Sequence, residues 1–299
     1  MQFKRVAAAL TACAAVASGL VFGSSVASAA PECPSLYVVA IPGTWETGHD
    51  RRPTAGMLSD VTDGLPSSAE VDYVTYAATA FPWEGDIYGK SKKEAVDNAR
   101  GLIENKVRAC GNTQVALVGY SQGADAAGDL ASEIGTGLGT VRPDRIAGVG
   151  LLSDPRRSPS DIQVGPPTPG AGAGGARVGG FGWLSDRTRT ICIPSDLYCA
   201  TEEDDFVTRF AGFLAQASDP SPANIWRYQM EVGAIVSDLM SHGGLPTLQA
   251  QLSRGANEQR VQDLEAFYRS EAHHAYGSYH VGGGQTALSW MHNWLSGMA

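Results

Sequence analysis

The sequence of 299 residues lacks several features that mark other classes of protein. Basic residues are not in excess: the formal net charge is −9, which argues against nucleic acid as a partner. No second pair of Cys or His residues stands at zinc-ligand spacing, so we expect no metal site. We find no internal repeat. After the N-terminal segment, no stretch is long and apolar enough to cross a bilayer. These absences leave an acidic globular protein.

The N-terminus has the three parts of a secretory signal peptide. Lys4 and Arg5 precede an apolar run from Val6 to Phe22, and a small-residue cleavage site ends at Ala29. The apolar run is short for a membrane span and rich in Ala and Gly, which favours cleavage over a retained anchor. Removing these 29 residues, which carry two basic residues and no acid, leaves 270 residues with a net charge of −11. We therefore expect a secreted protein with one large domain at 30–299.

Four of the five cysteines remain once Cys13 leaves with the signal peptide. An even number of cysteines in an exported chain predicts two disulfide bonds. Cys192 and Cys199 would close a short loop, so we expect them to pair with each other. Cys33 is then left to pair with Cys110.

Short apolar segments alternate with segments of helical spacing along most of the chain. The predicted strands are Leu36–Ile41, Val71–Tyr76, Gln114–Gly119, Arg145–Leu152 and Thr188–Ile193. Apolar residues recur at helical spacing between Ser91 and Ala109, and a closing helix is predicted from Gln285 to Met298. This alternation predicts an α/β fold: a central parallel sheet of about five strands with helices on both faces.

Two segments interrupt the alternation. Residues 155–182 are rich in Gly, Pro and Ala and can bury little apolar surface, so a long surface loop is predicted. Residues 201–270 contain two amphipathic helical patterns, around Ile225–Leu239 and Val261–Tyr268. This helical insertion is either a lid over an apolar acyl site or a layer that covers the sheet.

The third predicted strand runs directly into Gly119-Tyr120-Ser121-Gln122-Gly123, and a helical segment follows. A G-x-S-x-G sequence between a strand and a helix is typical of a nucleophile elbow. The turn is too sharp for side chains at its two glycines. The serine then lies at the N-terminus of the helix, where unpaired backbone N–H groups can hold an oxyanion.

A serine nucleophile needs a base that a carboxylate orients. Asp196 lies within the loop that Cys192 and Cys199 would close, and His273 comes later in the sequence. The order Ser, Asp, His is that of α/β-hydrolases. Asp154, after the fourth strand, is an alternative acid or a structural ion-pair partner, and His274 is an alternative base. Glu46 either braces the loop after the first strand or is a solvated carboxylate.

Several of these motifs together resemble the cutinase family. They are the Gly119–Gly123 elbow, the acid between paired cysteines at 192–199, the His273-x-Ala-Tyr-Gly segment and the loop at 43–48. The resemblance implies that Ser121 is the nucleophile, His273 the general base and acid, and Asp196 the orienting carboxylate. It also implies an oxyanion hole made by the N–H of Gln122 and by Thr44, through its N–H and its hydroxyl. The Cys33–Cys110 pair matches the family's first disulfide, and no cofactor is implied.

The insertion and the Gly/Pro-rich loop depart from the shorter fungal cutinases. Both features resemble the larger cutinase-like proteins of mycolate-containing actinobacteria, which are associated with envelope lipid esters. The resemblance implies a secreted or envelope-located esterase or lipase for long acyl chains, such as those of phospholipid or trehalose mycolate. The alternatives are a short-chain or polyester esterase and a non-catalytic lipid-binding protein. We expect a monomer that contacts envelope lipid peripherally.

Overall fold

A computed structural model describes residues 33–49, 53–219 and 225–299. The predicted signal peptide lies outside these residues. At the centre is a parallel sheet of five strands, which confirms the predicted α/β architecture. The strands are β1 (Leu36–Ile41), β2 (Ala69–Tyr73), β3 (Gln114–Tyr120), β4 (Ile146–Leu152) and β5 (Thr188–Ile191).

The strand order is β2-β1-β3-β4-β5, so the chain changes direction across the sheet between β1 and β3. In open α/β sheets, ligands bind beyond the carboxyl ends of the strands at such a switch point. The register pairs Ile41 with Gly119 and Tyr120 with Leu152. The loops that leave β1, β3 and β4 therefore begin side by side at one edge of the sheet.

Helices cover both faces of the sheet. Alternate strand residues point to opposite faces, and each face has its own apolar core. One core packs against α2 (Tyr88–Ala109) and α3 (Gln122–Gly135). The other packs against α1 (Ser59–Thr62) and α8 (Ala287–Ser296). A short two-stranded ribbon, β6 (His280–Gly282) and β7 (Gln285–Thr286), precedes the last helix.

The insertion between β5 and the segment of His273 is helical. Its helices are α4 (Phe206–Gln216), α5 (Ile225–Ser241), α6 (Leu245–Gln251) and α7 (Arg254–Ser270). A small apolar cluster, centred on Phe206, Ile235 and Leu239, joins α4, α5 and α6. Many of its other large apolar side chains are exposed, among them Trp226, Met230 and Leu264.

The Gly/Pro-rich loop contains arginines that are buried, which its composition did not predict. Arg156 and Arg177 lie in a buried cluster of charges behind α3. Arg177 binds Asp154 with two hydrogen bonds, of 2.6 and 3.0 Å, and its Nε donates to Asp129 at 2.9 Å. Arg156 pairs with Glu231 of α5. The cluster thus joins the loop, α3 and the insertion.

Both predicted disulfides are present. Cys33 and Cys110 join the start of β1 to the end of α2, with Cα atoms 5.6 Å apart. Cys192 and Cys199 close the short loop after β5, with Cα atoms 5.9 Å apart. Over the ranges that the structure describes, no helix has the length and hydropathy of a membrane span.

Removing one charge from the buried cluster leaves its partners unpaired in a dry site. We expect Arg177→Met to lower the free energy of unfolding by about 3–5 kcal/mol, as for other broken buried ion pairs. The matched control is Arg142→Met, since Arg142 pairs with Asp144 at the surface and its side chain is 80% exposed. The control should change stability by less than about 0.5 kcal/mol. Equal effects of the two variants in urea unfolding would contradict the role assigned to the cluster.

Candidate active site

The nucleophile elbow is a strained turn held by close backbone packing. Ser121 follows β3 with φ 55° and ψ −122°, a conformation that residues with side chains rarely adopt. A Cβ atom added to Gly119 would lie 2.3 Å from the carbonyl oxygen of Gly123. One added to Gly123 would lie 2.0 Å from the carbonyl oxygen of Ile41. Only glycine fits at either position, as the motif predicted.

The structure brings the three predicted triad residues together. The Nε2 atom of His273 lies 2.9 Å from the Ser121 Oγ, and its Nδ1 lies 3.0 Å from Oδ2 of Asp196. His273 lies in a 3₁₀ segment, Ala272–Gly277, that begins where α7 ends. The ring is packed between Tyr198 and Tyr120, with centroid distances of 4.6 and 5.1 Å. These contacts restrict the rotation of the imidazole ring.

Asp196 is completely buried yet well supplied with hydrogen-bond donors. Besides His273, its Oδ2 accepts hydrogen bonds from Ser153 Oγ at 2.5 Å and from the Tyr276 hydroxyl at 2.8 Å. Its Oδ1 accepts from the Tyr198 N–H at 3.1 Å. Burial by itself would raise the pKa of Asp196, but the hydrogen bond and charge of His273, with the two hydroxyl donors, hold that pKa below its ordinary value. The carboxylate is therefore charged at neutral pH.

The alternative acid and base have other contacts. Asp154 is bound by Arg177, so it is the ion-pair partner that the sequence left open. The Nδ1 atom of His274 lies 3.3 Å from the Tyr120 hydroxyl, which itself donates to the backbone carbonyl of His273 at 2.7 Å. Among the described residues, the His274 ring forms no hydrogen bond with Ser121 or Asp196.

The predicted oxyanion residues flank Ser121 from two loops. Thr44 follows β1, and Gln122 begins α3. Among the described residues, the backbone N–H groups of Thr44 and Gln122 have no acceptor in the protein. The Thr44 hydroxyl lies 3.4 Å from Oε1 of Gln122, and the Gln122 amide donates to the Thr79 carbonyl at 3.0 Å. The buried Gln122 side chain therefore joins these loops, which accounts for a glutamine after the serine.

Glu46 braces the loop that carries Thr44. Its carboxylate accepts hydrogen bonds from the N–H of Gly43 at 2.7 Å and from the N–H of Met57 at 2.8 Å. Burial raises the pKa of Glu46, and the two backbone hydrogen bonds oppose this shift. Of the two roles that the sequence allowed, the structure gives Glu46 the bracing one.

Ser153 and Tyr276 are site residues that sequence reasoning did not assign. Tyr276 lies within the predicted histidine segment, where an aromatic residue is equally suited to a purely apolar core role. Ser153 follows β4 at the same sheet edge as the elbow. That position is the feature of the sequence that could have indicated a role in the site. Their contacts with Asp196 arise from segments far apart in the sequence, so no local pattern indicates them.

A group of side chains that could hold a metal ion lies on the surface. His49, Asp86 and Glu94 each offer a ligand atom, and these atoms lie within 4.8 Å of one another. His49 is exposed and pairs with Glu94 at 3.3 Å. None of the three contacts the triad side chains, and the acid–base chemistry of Ser121 and His273 requires no metal.

The serine elbow, the histidine beside it, the buried carboxylate and the two N–H groups without a protein acceptor form the arrangement that is typical of α/β-hydrolases, on the parallel sheet of that class. The family model described as Cutinase matches residues 32–221. The chain belongs to the cutinase family. The match ends before α5, so the later insertion helices and His273 lie beyond it.

The chain is also similar in sequence to two proteins that are named as carboxylesterases. The chain is 32% identical over 204 residues to the carboxylesterase Culp6 homolog of Corynebacterium glutamicum, which covers 56% of this chain and 65% of that protein. It is 29% identical over 178 residues to carboxylesterase Culp1 of Mycobacterium tuberculosis, covering 58% and 72% of the two chains. The first match therefore spans slightly less than two thirds of the relative's length.

A solved structure shares the fold over more of the chain. Lysin B from Mycobacteriophage D29 has a TM-score of 0.50 and 18% sequence identity, and the likeness covers 88% of this chain and 99% of that one. At this identity the likeness concerns the fold alone.

His273 and His274 can be distinguished by matched alanine variants. We expect His273→Ala to lower kcat for an activated ester by about 10⁴-fold or more, because it removes the base that accepts the Ser121 proton. His274→Ala removes a ring that contacts Tyr120 and leaves the triad contacts in place, so its kcat should stay close to that of the wild type. Release of p-nitrophenol measures both. A larger loss in His274→Ala than in His273→Ala would contradict this assignment.

Proposed function

We propose that the protein is a secreted serine esterase that hydrolyses carboxylic esters of long acyl chains through an acyl-serine intermediate. The observation that carries the proposal is the contact of His273 Nε2 with the Ser121 Oγ at 2.9 Å, backed by the buried Asp196. Membership of the cutinase family and the two relatives named as carboxylesterases support the same reaction.

In the proposed reaction, Ser121 Oγ attacks the ester carbonyl carbon while its proton passes to Nε2 of His273. The tetrahedral oxyanion forms between the N–H groups of Thr44 and Gln122. Collapse of this intermediate breaks the bond to the alcohol, which leaves with the proton from His273. A water molecule then gives a proton to His273 and attacks the acyl carbon, and the second collapse releases the acid and restores Ser121.

The apolar surface of the insertion supports a long acyl chain as the substrate group. Helix α7 leads directly into the segment of His273, and Phe267 on that helix contacts the His273 ring with a centroid distance of 6.4 Å. The same helix exposes Val261, Leu264 and Tyr268. Exposed apolar side chains on a helix that also contacts His273 are suited to bind hydrocarbon that water solvates poorly. The esters of an envelope lipid, such as phospholipid or trehalose mycolate, would present such chains.

The insertion is anchored to the rest of the domain at its base. Gln216, at the end of α4, donates to Asp125 of α3 at 2.5 Å and accepts from Lys92 of α2. Glu231 of α5 is bound by Arg156. Because separating these groups would strand buried charges, we propose that the insertion acts as a fixed wall of the site and does not swing as one lid.

Secretion is part of the proposal. All four cysteines outside the predicted signal peptide are in disulfides, which persist in oxidising compartments. We also propose a monomer that contacts lipid peripherally. The exposed tryptophans of the loops near Thr44 support that contact, since Trp45 is 60% and Trp83 80% exposed.

The preference for acyl length tests the substrate class. We expect kcat/KM of the purified secreted protein to rise from acetyl to palmitoyl esters of p-nitrophenol, because longer chains bury more apolar surface against the insertion. Ser121→Ala is the control and should hydrolyse none of them. Hydrolysis of phospholipid and of trehalose mycolate by the wild type would then identify the natural ester.

A strong preference for acetyl and butyryl esters would instead favour a short-chain or polyester esterase. If the wild type hydrolyses no ester, a lipid-binding protein becomes the better account.

Interfacial kinetics test the fixed wall. We expect the hydrolysis rate to rise smoothly with substrate concentration through the limit of substrate solubility, because no lid has to open at a lipid surface. Triacylglycerol emulsions and dissolved substrate, compared at matched concentrations, give the measurement. A sharp jump in rate where emulsion droplets first form would show a moving lid.

A further inference from the structure

Ser153 lies at a position in the fold that is equivalent to that of Ser121. It is the first residue after β4, as Ser121 is the first after β3, and the register pairs Tyr120 with Leu152. The Ser121 N–H also donates to the Leu152 carbonyl at 2.9 Å. The two serines therefore lie side by side at the sheet edge, each with a positive φ, of 55° for Ser121 and 54° for Ser153.

This backbone conformation disfavours serine and suits glycine. A positive φ of this size brings the Cβ of an ordinary residue too close to its own backbone, whereas glycine has no Cβ. Ser153 is also completely buried, so its hydroxyl makes no contact with solvent. Its N–H donates to the Ile191 carbonyl of β5, and glycine would keep that bond. Compared with glycine, serine at this position therefore contributes only its hydroxyl group. The contacts of that hydroxyl indicate its role.

The hydroxyl contacts both members of the acid–base pair. Ser153 Oγ lies 2.5 Å from Asp196 Oδ2 and 3.0 Å from His273 Nδ1, while that Nδ1 lies 3.0 Å from the same Oδ2. The charged carboxylate can only accept, so the single hydroxyl proton points to Asp196. The Nδ1–H of His273 then faces two acceptors, Asp196 Oδ2 and a lone pair of Ser153 Oγ.

We propose that Ser153 is a positioning residue of the triad. Its O–H dipole holds the Asp196 carboxylate and the Nδ1–H of His273 in one hydrogen-bonded triangle. When His273 accepts the Ser121 proton at Nε2, the positive charge that spreads to Nδ1–H meets the Ser153 oxygen as well as the carboxylate. Ser153 keeps its own proton throughout and forms no bond to the substrate. Aligned hydrogen bonds of this kind strengthen one another in a buried site. The inference rests on the proposed esterase function of the same site.

The variant Ser153→Gly distinguishes the role of the hydroxyl from an effect on stability. It removes the contacts of the hydroxyl with Asp196 and His273, and it also relieves the strain of the positive φ. We expect kcat to fall about 10- to 100-fold, as for a lost hydrogen bond to a charged group, with KM unchanged. The rate at which a fluorophosphonate labels Ser121 should fall by the same factor, while the melting temperature stays equal to that of the wild type or rises. Ser153→Ala keeps the Cβ and should show the same loss of kcat. The downfield proton resonance of His273 Nδ1–H should move in both variants.

Thr168→Val is the matched control for loss of a buried hydroxyl. Thr168 Oγ1 donates to the Cys192 carbonyl at 2.8 Å, in the loop that holds Asp196, and makes no contact with the triad. We expect the control to lower the melting temperature and to leave kcat and the Nδ1–H resonance as in the wild type. The positioning role would be overturned if Ser153→Gly and Ser153→Ala both kept the kcat, the labelling rate and the Nδ1–H resonance of the wild type. If the wild type itself hydrolyses no ester, the proposed function fails, and the resonance alone then decides the role of Ser153.

Discussion

The site depends on the close parallel packing of β1, β3 and β4. Their aligned carboxyl ends bring the loops of Thr44, Ser121 and Ser153 to one edge of the sheet. The elbow then packs so tightly that Gly123 meets the Ile41 carbonyl and Gly119 meets Gly123. Because this packing leaves no room for side chains at the two glycines, it fixes Ser121 relative to the loop that carries Thr44. The strain at Ser121 persists since β1 is buried along its length and nearly all of β3 and α3 is buried as well.

A second constraint is the burial of charged side chains on and around α3. The charged groups around Asp125 and Asp129 are buried, so each must have partners, and they find them in segments far apart in the sequence. Arg177 brings the Gly/Pro-rich loop to α3, and Glu231 and Gln216 bring the insertion there. The buried charges thus connect the two segments that distinguish this chain from shorter cutinases to the helix that begins beside Ser121.

Local pattern and motif were sufficient to predict the sheet. The apolar run at Leu36–Ile41 matches β1 at both ends, and the other strands were predicted within a few residues of their observed bounds. The spacing of Cys192 and Cys199 indicated their disulfide, and the elbow glycines follow from sterics alone. The sequence could not show that Arg177 is buried or that Ser153 touches Asp196. Both facts depend on contacts between distant segments, and an arginine in a Gly/Pro-rich stretch or a serine after a strand is equally common at a surface.

The central claim is that Ser121 carries the acyl group during turnover. Rapid quenching during hydrolysis of a long-chain p-nitrophenyl ester, followed by peptide mass analysis, tests it most directly. The account predicts one acyl adduct, on the peptide that contains Ser121, formed at the rate of the initial p-nitrophenol release and absent from Ser121→Ala. Turnover by Ser121→Ala at the wild-type rate, or an acyl adduct on another residue that forms at the turnover rate, would contradict it.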